Sequence, residues 1–333
     1  MEEATLKRAF FLLLFVFGML AGLSFSGTKP GGISSAPYTP GTGYPVLKID
    51  VFYEVEDKVI SLDLEDYVKC VVASEMPASF HAEALKAQAI LARTYAVRKM
   101  QIFGGSPTLP GKADVTSNPA KDQAWTPENI IKERWGLIGT WLNWPKIEKA
   151  VEDTRGLILT YKGLPAEALY HSTCGGKTEA ARDVWSNDVP YLKSVSCPYC
   201  QSSPHYGISQ VALTAGDISK ALGKLGLSVP ASKVSQSGML AVTALSPTGR
   251  VKQITVSGQS LRGVEFRAAL GLKSTKFTWS AKGEQVLFQV SGYGHGVGLC
   301  QYGADGAAKQ GKCFADILSY YYPGTTVTGI FEE

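Results

Sequence analysis

Between Leu64 and Met100 the sequence admits little except two helices with a proline between them. Leu64, Tyr67, Val68, Val71 and Val72 recur at the spacing of one helical face. Asp63 stands before them as an N-cap. Pro77 stops the run, because proline disfavours helical backbone at the residue before it. From Ala82 to Met100 the chain is Ala-rich, with no Gly or Pro. Leu85, Ala89, Ala92 and Ala96 form a thin stripe whose small side chains allow a neighbouring element to come close. Glu75 lies at the junction, in Ala73-Ser74-Glu75-Met76-Pro77. At about 100° per residue it falls roughly 20° from Leu64, on the same buried face. A carboxyl group at the mouth of a buried face loses solvent, which predicts a raised pKa and a proton donor near neutral pH. An exposed helix-end residue is the alternative.

The 333-residue chain as a whole is globular in composition, with 45% hydrophobic and 19% charged residues. That is enough for a large core and for one or two domains. The net charge of +4 is spread out, and no Lys/Arg block points to nucleic acid. At the N-terminus Lys7-Arg8 precedes an apolar run from Ala9 to Leu23, then Ser24-Phe25-Ser26-Gly27. This order reads as a secretory signal or an N-terminal membrane anchor over residues 1–27, which places the rest outside the cytoplasm. Residues 28–45 read as a Gly/Pro/Ser/Thr linker.

Folded sequence begins near residue 46. Val46 to Tyr53 alternates like a strand. Residues 101–127 read as loop, and 128–152 as helix interrupted at Gly136, Gly139 and Pro145. Strand pattern follows over Leu157–Tyr161, with a Lys162-Gly163 turn and then Ala166 to His171. Residues 215–226 read as a short helix, Leu240 to Phe288 mostly as strands, and Gly303 to Tyr322 as one helix ended by Pro323-Gly324. The pattern is α+β, without regular βαβ alternation.

Three segments concentrate Gly, His and polar residues. The first is Glu75-Met76-Pro77 with Glu83 to Tyr95. The second is His171-Ser172-Thr173-Cys174-Gly175-Gly176-Lys177-Thr178-Glu179. The third is Gly292-Tyr293-Gly294-His295-Gly296-Val297-Gly298-Leu299-Cys300-Gln301-Tyr302-Gly303-Ala304. In this order they resemble the SpoIID/LytB family, over roughly residues 46–328. Asp114-Val115 to Gln123, Thr154-Arg155-Gly156 and Tyr321-Tyr322-Pro323-Gly324 add lesser matches. The resemblance implies a SpoIID-like domain over 46–330, a mixed sheet with helices forming a groove for an extended polymer, with 206–288 as a lobe within it. It implies action on peptidoglycan glycan strands. SpoIID-type members are lytic transglycosylases that cleave between N-acetylmuramic acid and N-acetylglucosamine and leave 1,6-anhydro ends, preferring strands stripped of stem peptides. The family's catalytic glutamate maps onto Glu75. The amidase-enhancer branch gives the alternative: a non-catalytic glycan binder that stimulates a cell-wall N-acetylmuramoyl-L-alanine amidase. Sporulation is one setting for the family.

Ordinary glycoside hydrolases use two carboxyl groups. A lytic transglycosylase uses the sugar's own 6-hydroxyl as nucleophile, so one carboxyl can serve as acid and then as base. Asp114 and Glu179 have structural readings at least as strong. The substrate-binding candidates are Arg93, Lys86 and Gln88 on the second helix, and His295, Gln301 and Tyr302 in the third motif. His295, flanked by glycines, either meets sugar and orients Glu75 or is buried and fixes its loop. Arg93 either contacts a muramyl carboxylate or makes a structural ion pair.

Six cysteines are present: Cys70, Cys174, Cys197, Cys200, Cys300 and Cys313. Cys197-Pro198-Tyr199-Cys200 has metal-knuckle spacing. Cys174, with either His205 or His171, would complete a tetrahedral structural zinc site. The family resemblance supports metal binding near here in some members, with varying ligands. A disulfide among these cysteines is the rival in an oxidising compartment. Cys300 and Cys313 are a further pair that can bridge.

Overall fold

A computed structural model describes residues 45–185, 187–234, 238–283 and 285–331. The signal or anchor and all of the linker but its last residue lie outside the described residues. Among those described, no helix is long and apolar enough to cross a membrane. The fold is α+β, built from several small sheets with helices. The described chain divides into two compact units. One holds residues 45–169 and 307–331, and the other 170–306.

The first unit opens with strands β1 (Lys48–Tyr53) and β2 (Lys58–Asp63), antiparallel in register Lys48↔Asp63. Helix α1 (Leu64–Glu75) follows directly, because Asp63 Oδ1 accepts from Glu65 N at 2.8 Å and caps it. Helix α2 (Ala82–Lys99) starts on a His81 cap. It is buried along most of its length, because its alanines admit α1 and later elements on several sides. The expected loop 101–127 contains β3 (Val115–Thr116), which pairs parallel with β1. Helix α3 (Glu128–Glu152) kinks at Gly136, whose φ of 67° is left-handed, whereas Gly139 and Pro145 lie within helical backbone. Strands β4 (Leu157–Tyr161) and β5 (Leu164–Pro165) form a hairpin. Lys162 and Gly163, both at positive φ, make its turn.

The second unit begins at β6 (Tyr170–His171), the last two residues of the expected strand 166–171; Ala166 N instead donates to the Leu159 carbonyl of β4. After α4 (Ala181–Trp185) come β7 (Ile208–Thr214), α5 (Ala215–Gly223), α6 (Ala231–Val234), β8 (Leu240–Leu245), β9 (Val251–Val256) and β10 (Gln259–Arg262). Helix α7 (Gly263–Ala269) interrupts the expected run of strands. It rests so close to β9 that a Cβ on Gly263 would lie 1.9 Å from the Val251 carbonyl oxygen. Strands β11 (Phe277–Lys282) and β12 (Gln285–Ser291) then pair with each other, and β12 with β7. Ile218, Leu222, Ile254, Phe266, Phe277 and Phe288 form the apolar centre. Strand β13 (Leu299–Cys300) pairs parallel with β6 and leads into α8 (Gln301–Lys309).

The expected C-terminal helix is two. Gly311, at φ 85°, separates α8 from α9 (Phe314–Tyr321). The chain is by then back in the first unit, where α9 packs on α2 and β14 (Thr326–Gly329) pairs with β4.

Candidate functional site

Glu75 is the last residue of α1 and is half-buried. Its Oε1 accepts a hydrogen bond from Ala124 N at 2.8 Å. The segment that supplies this donor is itself pinned. Asp122 accepts from Thr116 N (2.8 Å), Tyr95 Oη (2.7 Å) and Thr108 Oγ1 (2.7 Å). Gln123 Nε2 donates to Tyr67 Oη and to the Ala92 carbonyl, each at 3.2 Å. Burial pushes the Tyr67 phenol well up, and the charges of Asp122 and Glu75 add to it, so Tyr67 stays a neutral neighbour of the carboxyl group. Asp122, Gln123 and Ala124 are the residues that sequence reasoning passed over. The match from Asp114 to Gln123 was the available signal, but it carried no role.

The candidates on α2 do other work. Arg93 is fully buried and pairs with Glu65: Nε to Oε1 at 2.9 Å and Nη2 to Oε2 at 2.5 Å. Its Nη1 also donates to the Leu157 carbonyl at 2.9 Å, so one guanidinium ties α1, α2 and β4 together. This is the structural ion pair, not a sugar contact. Gln88 is buried at 0% exposure, so it presents nothing to a polymer. Lys86 bridges Glu83 (3.0 Å) and Asp153 (3.1 Å). Asp114 accepts from Asp50 N and Gln101 N, a structural role.

The second and third motifs are braided in the second unit. Thr173 and Tyr293 exchange backbone hydrogen bonds at 3.0 and 2.7 Å, and Glu179 N donates to the Gly296 carbonyl at 2.7 Å. Two glycines have no substitute here. A Cβ on Gly294 would lie 2.7 Å from His171 Cβ, and one on Gly296 would lie 2.8 Å from Arg250 Cζ. His295 packs on Trp185 and His171, with ring centroids at 5.1 and 5.7 Å. Its Nδ1 accepts from Val297 N at 3.1 Å, and the Tyr170 backbone is a second partner. Burial, with the Arg267 and Arg250 charges, lowers its pKa to about 3. His295 is therefore a neutral, buried residue that fixes its loop. Gln301 is buried at the start of α8, and half-buried Tyr302 donates its backbone N–H to the Ser172 carbonyl at 3.1 Å. Glu179 is buried and accepts from the Thr248 hydroxyl, not from Lys177 or Arg182.

Cys174, Cys197, Cys200 and Cys300 converge in the same unit, buried, with all four sulfurs within 4.8 Å of one another. Cys174 Sγ and Cys200 Sγ are 3.6 Å apart. That matches a tetrahedral tetrathiolate, where Zn–S bonds of about 2.3 Å put sulfurs roughly 3.8 Å apart. None of the six cysteines is in a disulfide. The fourth position belongs to Cys300, and neither expected histidine reaches it. His171 donates from Nδ1 to the Val297 carbonyl at 3.0 Å, and burial drives its pKa well down. His205 sets Nδ1 3.5 Å from Lys273 Nζ and stands edge-on to Tyr293. The backbone N–H of Cys174 points at Cys300 Sγ (3.3 Å), the kind of outer bond that steadies a thiolate. Arg250, buried at 1% exposure, donates to the Cys174 carbonyl at 2.8 Å and sets a positive charge beside the cluster. The donor set suits a closed structural zinc ion.

Comparison with known proteins places this architecture. Residues 53–161 match the family model described as SpoIID, stage II sporulation protein. Stage II sporulation protein D of Bacillus subtilis (strain 168) is 38% identical over 313 residues, covering 92% of this chain and 87% of that protein. The protein of the same name from Bacillus amyloliquefaciens is 37% identical over 282 residues, 85% of this chain and 79% of its own length. The chain belongs to the stage II sporulation protein D family. An amidase enhancer of Bacillus subtilis is also similar, at 30% identity over 78% of this chain and 40% of that protein. The family-model span contains Glu75 and its clamp through Ala124. The cysteine cluster and the braided His171 and His295 loops lie beyond it; the Bacillus subtilis stage II sporulation protein D match, at 92% of this chain, extends over them.

Proposed function

We propose that this protein is an extracytoplasmic lytic transglycosylase acting on peptidoglycan glycan strands, with Glu75 as its single acid and base. The observation that carries the reading is the clamp on one carboxyl group. Glu75 sits at a helix end, half-buried, with Oε1 held by the Ala124 N–H in a segment anchored by Asp122 and Gln123. The Ala124 N–H fixes Oε1 and with it the orientation of the carboxyl group. Protonated Glu75 gives its proton to the glycosidic oxygen as the bond to the muramyl C1 breaks. The muramyl 6-hydroxyl then bonds to C1 and yields its proton to the Glu75 carboxylate. The product is a 1,6-anhydro end and no water is consumed, so no second carboxyl is required. A polymer groove beside Glu75 and a preference for peptide-stripped strands belong to the same reading. The four-cysteine cluster holds a structural zinc ion that fixes the second unit's loops and takes no part in the bond-breaking step.

The test is the full chain on purified peptidoglycan, intact and amidase-stripped, with products read by mass spectrometry. Anhydro-muramic ends are expected from the wild type. Glu75→Gln keeps an acceptor for the Ala124 N–H but has no proton to give, so a loss of about 10²- to 10⁴-fold is expected with the melting temperature unchanged. Equal product from both proteins would remove Glu75 from the chemistry. The amidase-enhancer relative favours a second reading, in which the protein binds glycan and stimulates a cell-wall amidase. That reading predicts no cleavage on either substrate and faster release of stem peptides by an added amidase.

A further inference from the structure

The middle of α3 exposes apolar side chains that neither unit's core uses. Leu137 is 92% exposed, Ile138 76%, Trp141 76% and Leu142 48%. Contiguous apolar exposure of this kind marks a contact surface. It is a built feature. Gly136 turns the helix back at φ 67°, and Thr140 Oγ1 donates across the turn to the Lys132 carbonyl at 3.0 Å. Below the tip Lys132 Nζ lies 4.7 Å over the Trp144 ring, and Trp135 meets Trp144 edge-on at 6.2 Å. The tip is thus braced with its apolar residues outward.

We propose that this tip is a membrane-interface insertion that seats the first unit on a lipid bilayer with anionic headgroups. From Trp135 to Pro145 there is no charged residue, and the charges that bracket the run are both basic, Arg134 and Lys146. Trp with aliphatic residues between basic flanks is the composition of surface-lying membrane segments. The same chain carries Lys7-Arg8 and the apolar run Ala9 to Leu23, separated from the first described residue by only the short segment 24–44. A run of this kind directs a chain to a bilayer, whether as signal or as anchor. Glycan fits the patch less well. Sugar platforms surround a ring with hydrogen-bonding groups, whereas apart from its indole N–H groups the run offers Thr140 and Asn143, and Thr140 bonds its own helix. A second copy also fits less well, because a stable dimer takes about 20–30 residues a side.

The test uses the full chain with vesicles of phosphatidylcholine and phosphatidylglycerol carrying brominated acyl chains. The N-terminal apolar run contains no tryptophan, so quenching of tryptophan emission reports on the folded part. Strong quenching is expected, and Trp141→Phe should remove most of it. Leu137→Glu with Ile138→Glu should remove it too, with circular dichroism and melting temperature unchanged. Equal quenching in wild type and Trp141→Phe overturns the proposal. So does self-association without lipid that the double variant abolishes, or quenching of Trp141 by glycan strands alone.

Discussion

Arg93 is a costly residue to remove. Its guanidinium is fully buried, shares two hydrogen bonds with Glu65 and reaches a carbonyl of β4. Arg93→Met leaves the Glu65 carboxylate buried and unpaired, so a loss of about 3–5 kcal/mol is expected in urea unfolding. Pairing it with Glu65→Leu removes the orphan charge and should recover a large part of that loss; no recovery would mean the pair is not the source. His295 makes the complementary case through pH. Its folded pKa of about 3 lies below the roughly 6.5 of an unfolded histidine. Between those values the unfolded chain holds a proton that the folded chain refuses. Its contribution is therefore complete above about pH 6.5 and is lost as pH falls toward 3, by up to ~1.4 kcal/mol per pH unit. His295→Asn should flatten the slope of unfolding free energy between about pH 7 and pH 5. An unchanged slope would place the titration elsewhere. Glu75 could be singled out from the sequence because its helical phase is set by five local neighbours. The role of Arg93 could not, because its partners Glu65 and Leu157 lie 28 and 64 residues away in the chain, beyond the reach of local periodicity. The glycines around His295 marked a close approach but not what was approached, which proved to be His171 and Arg250.

At the scale of elements, legibility follows how local the cause is. The Asp63 cap, the bare Ala-rich run of α2 and the Lys162-Gly163 turn are each decided within a few residues, and each appears where the pattern places it. Helix α7 is fixed instead by its contact with β9, and the break between α8 and α9 rests on one glycine in a run that otherwise reads as helix. The cysteine cluster shows the same division. The Cys197–Cys200 pair and Cys174 stand out by spacing, and the nearby histidines look like the natural fourth ligand. The position goes to Cys300 because β13 pairs with β6, placing Cys300 opposite His171 in register. If the cluster holds zinc, the full chain should contain one zinc per molecule. Cys300→Ser should lose it as fully as Cys197→Ser, whereas His205→Ala and Cys70→Ala should keep it. Elemental analysis decides this, and cobalt substitution adds a check through the thiolate charge-transfer bands of a four-sulfur site. Retention of metal in Cys300→Ser would return the fourth position to a histidine.

For the whole molecule, the division into two compact units sets what stability can mean. Each unit has its own buried centre, one around α2 and the other around Phe266, Phe277 and Phe288. The second unit is inserted into the first, so that residues 45–169 and 307–331 must find each other across it. Sequence periodicity cannot report such an insertion, because nothing at residue 170 or 306 breaks the α+β pattern. Chains built this way depart from two-state unfolding when the two cores differ in what stabilises them. Here they differ in kind: the first unit depends on the Arg93–Glu65 pair, the second on the cysteine cluster and on neutral His295. Chelation at neutral pH should therefore lower the unfolding temperature of the 170–306 unit, while amide protons of α1 and α2 keep their protection. Arg93→Met should do the reverse, exposing α1 and α2 to exchange with β11 and β12 still protected. Hydrogen exchange read by mass spectrometry, with calorimetry on the same samples, distinguishes the two. A single transition that moves as one under both treatments would show that the units fold only together.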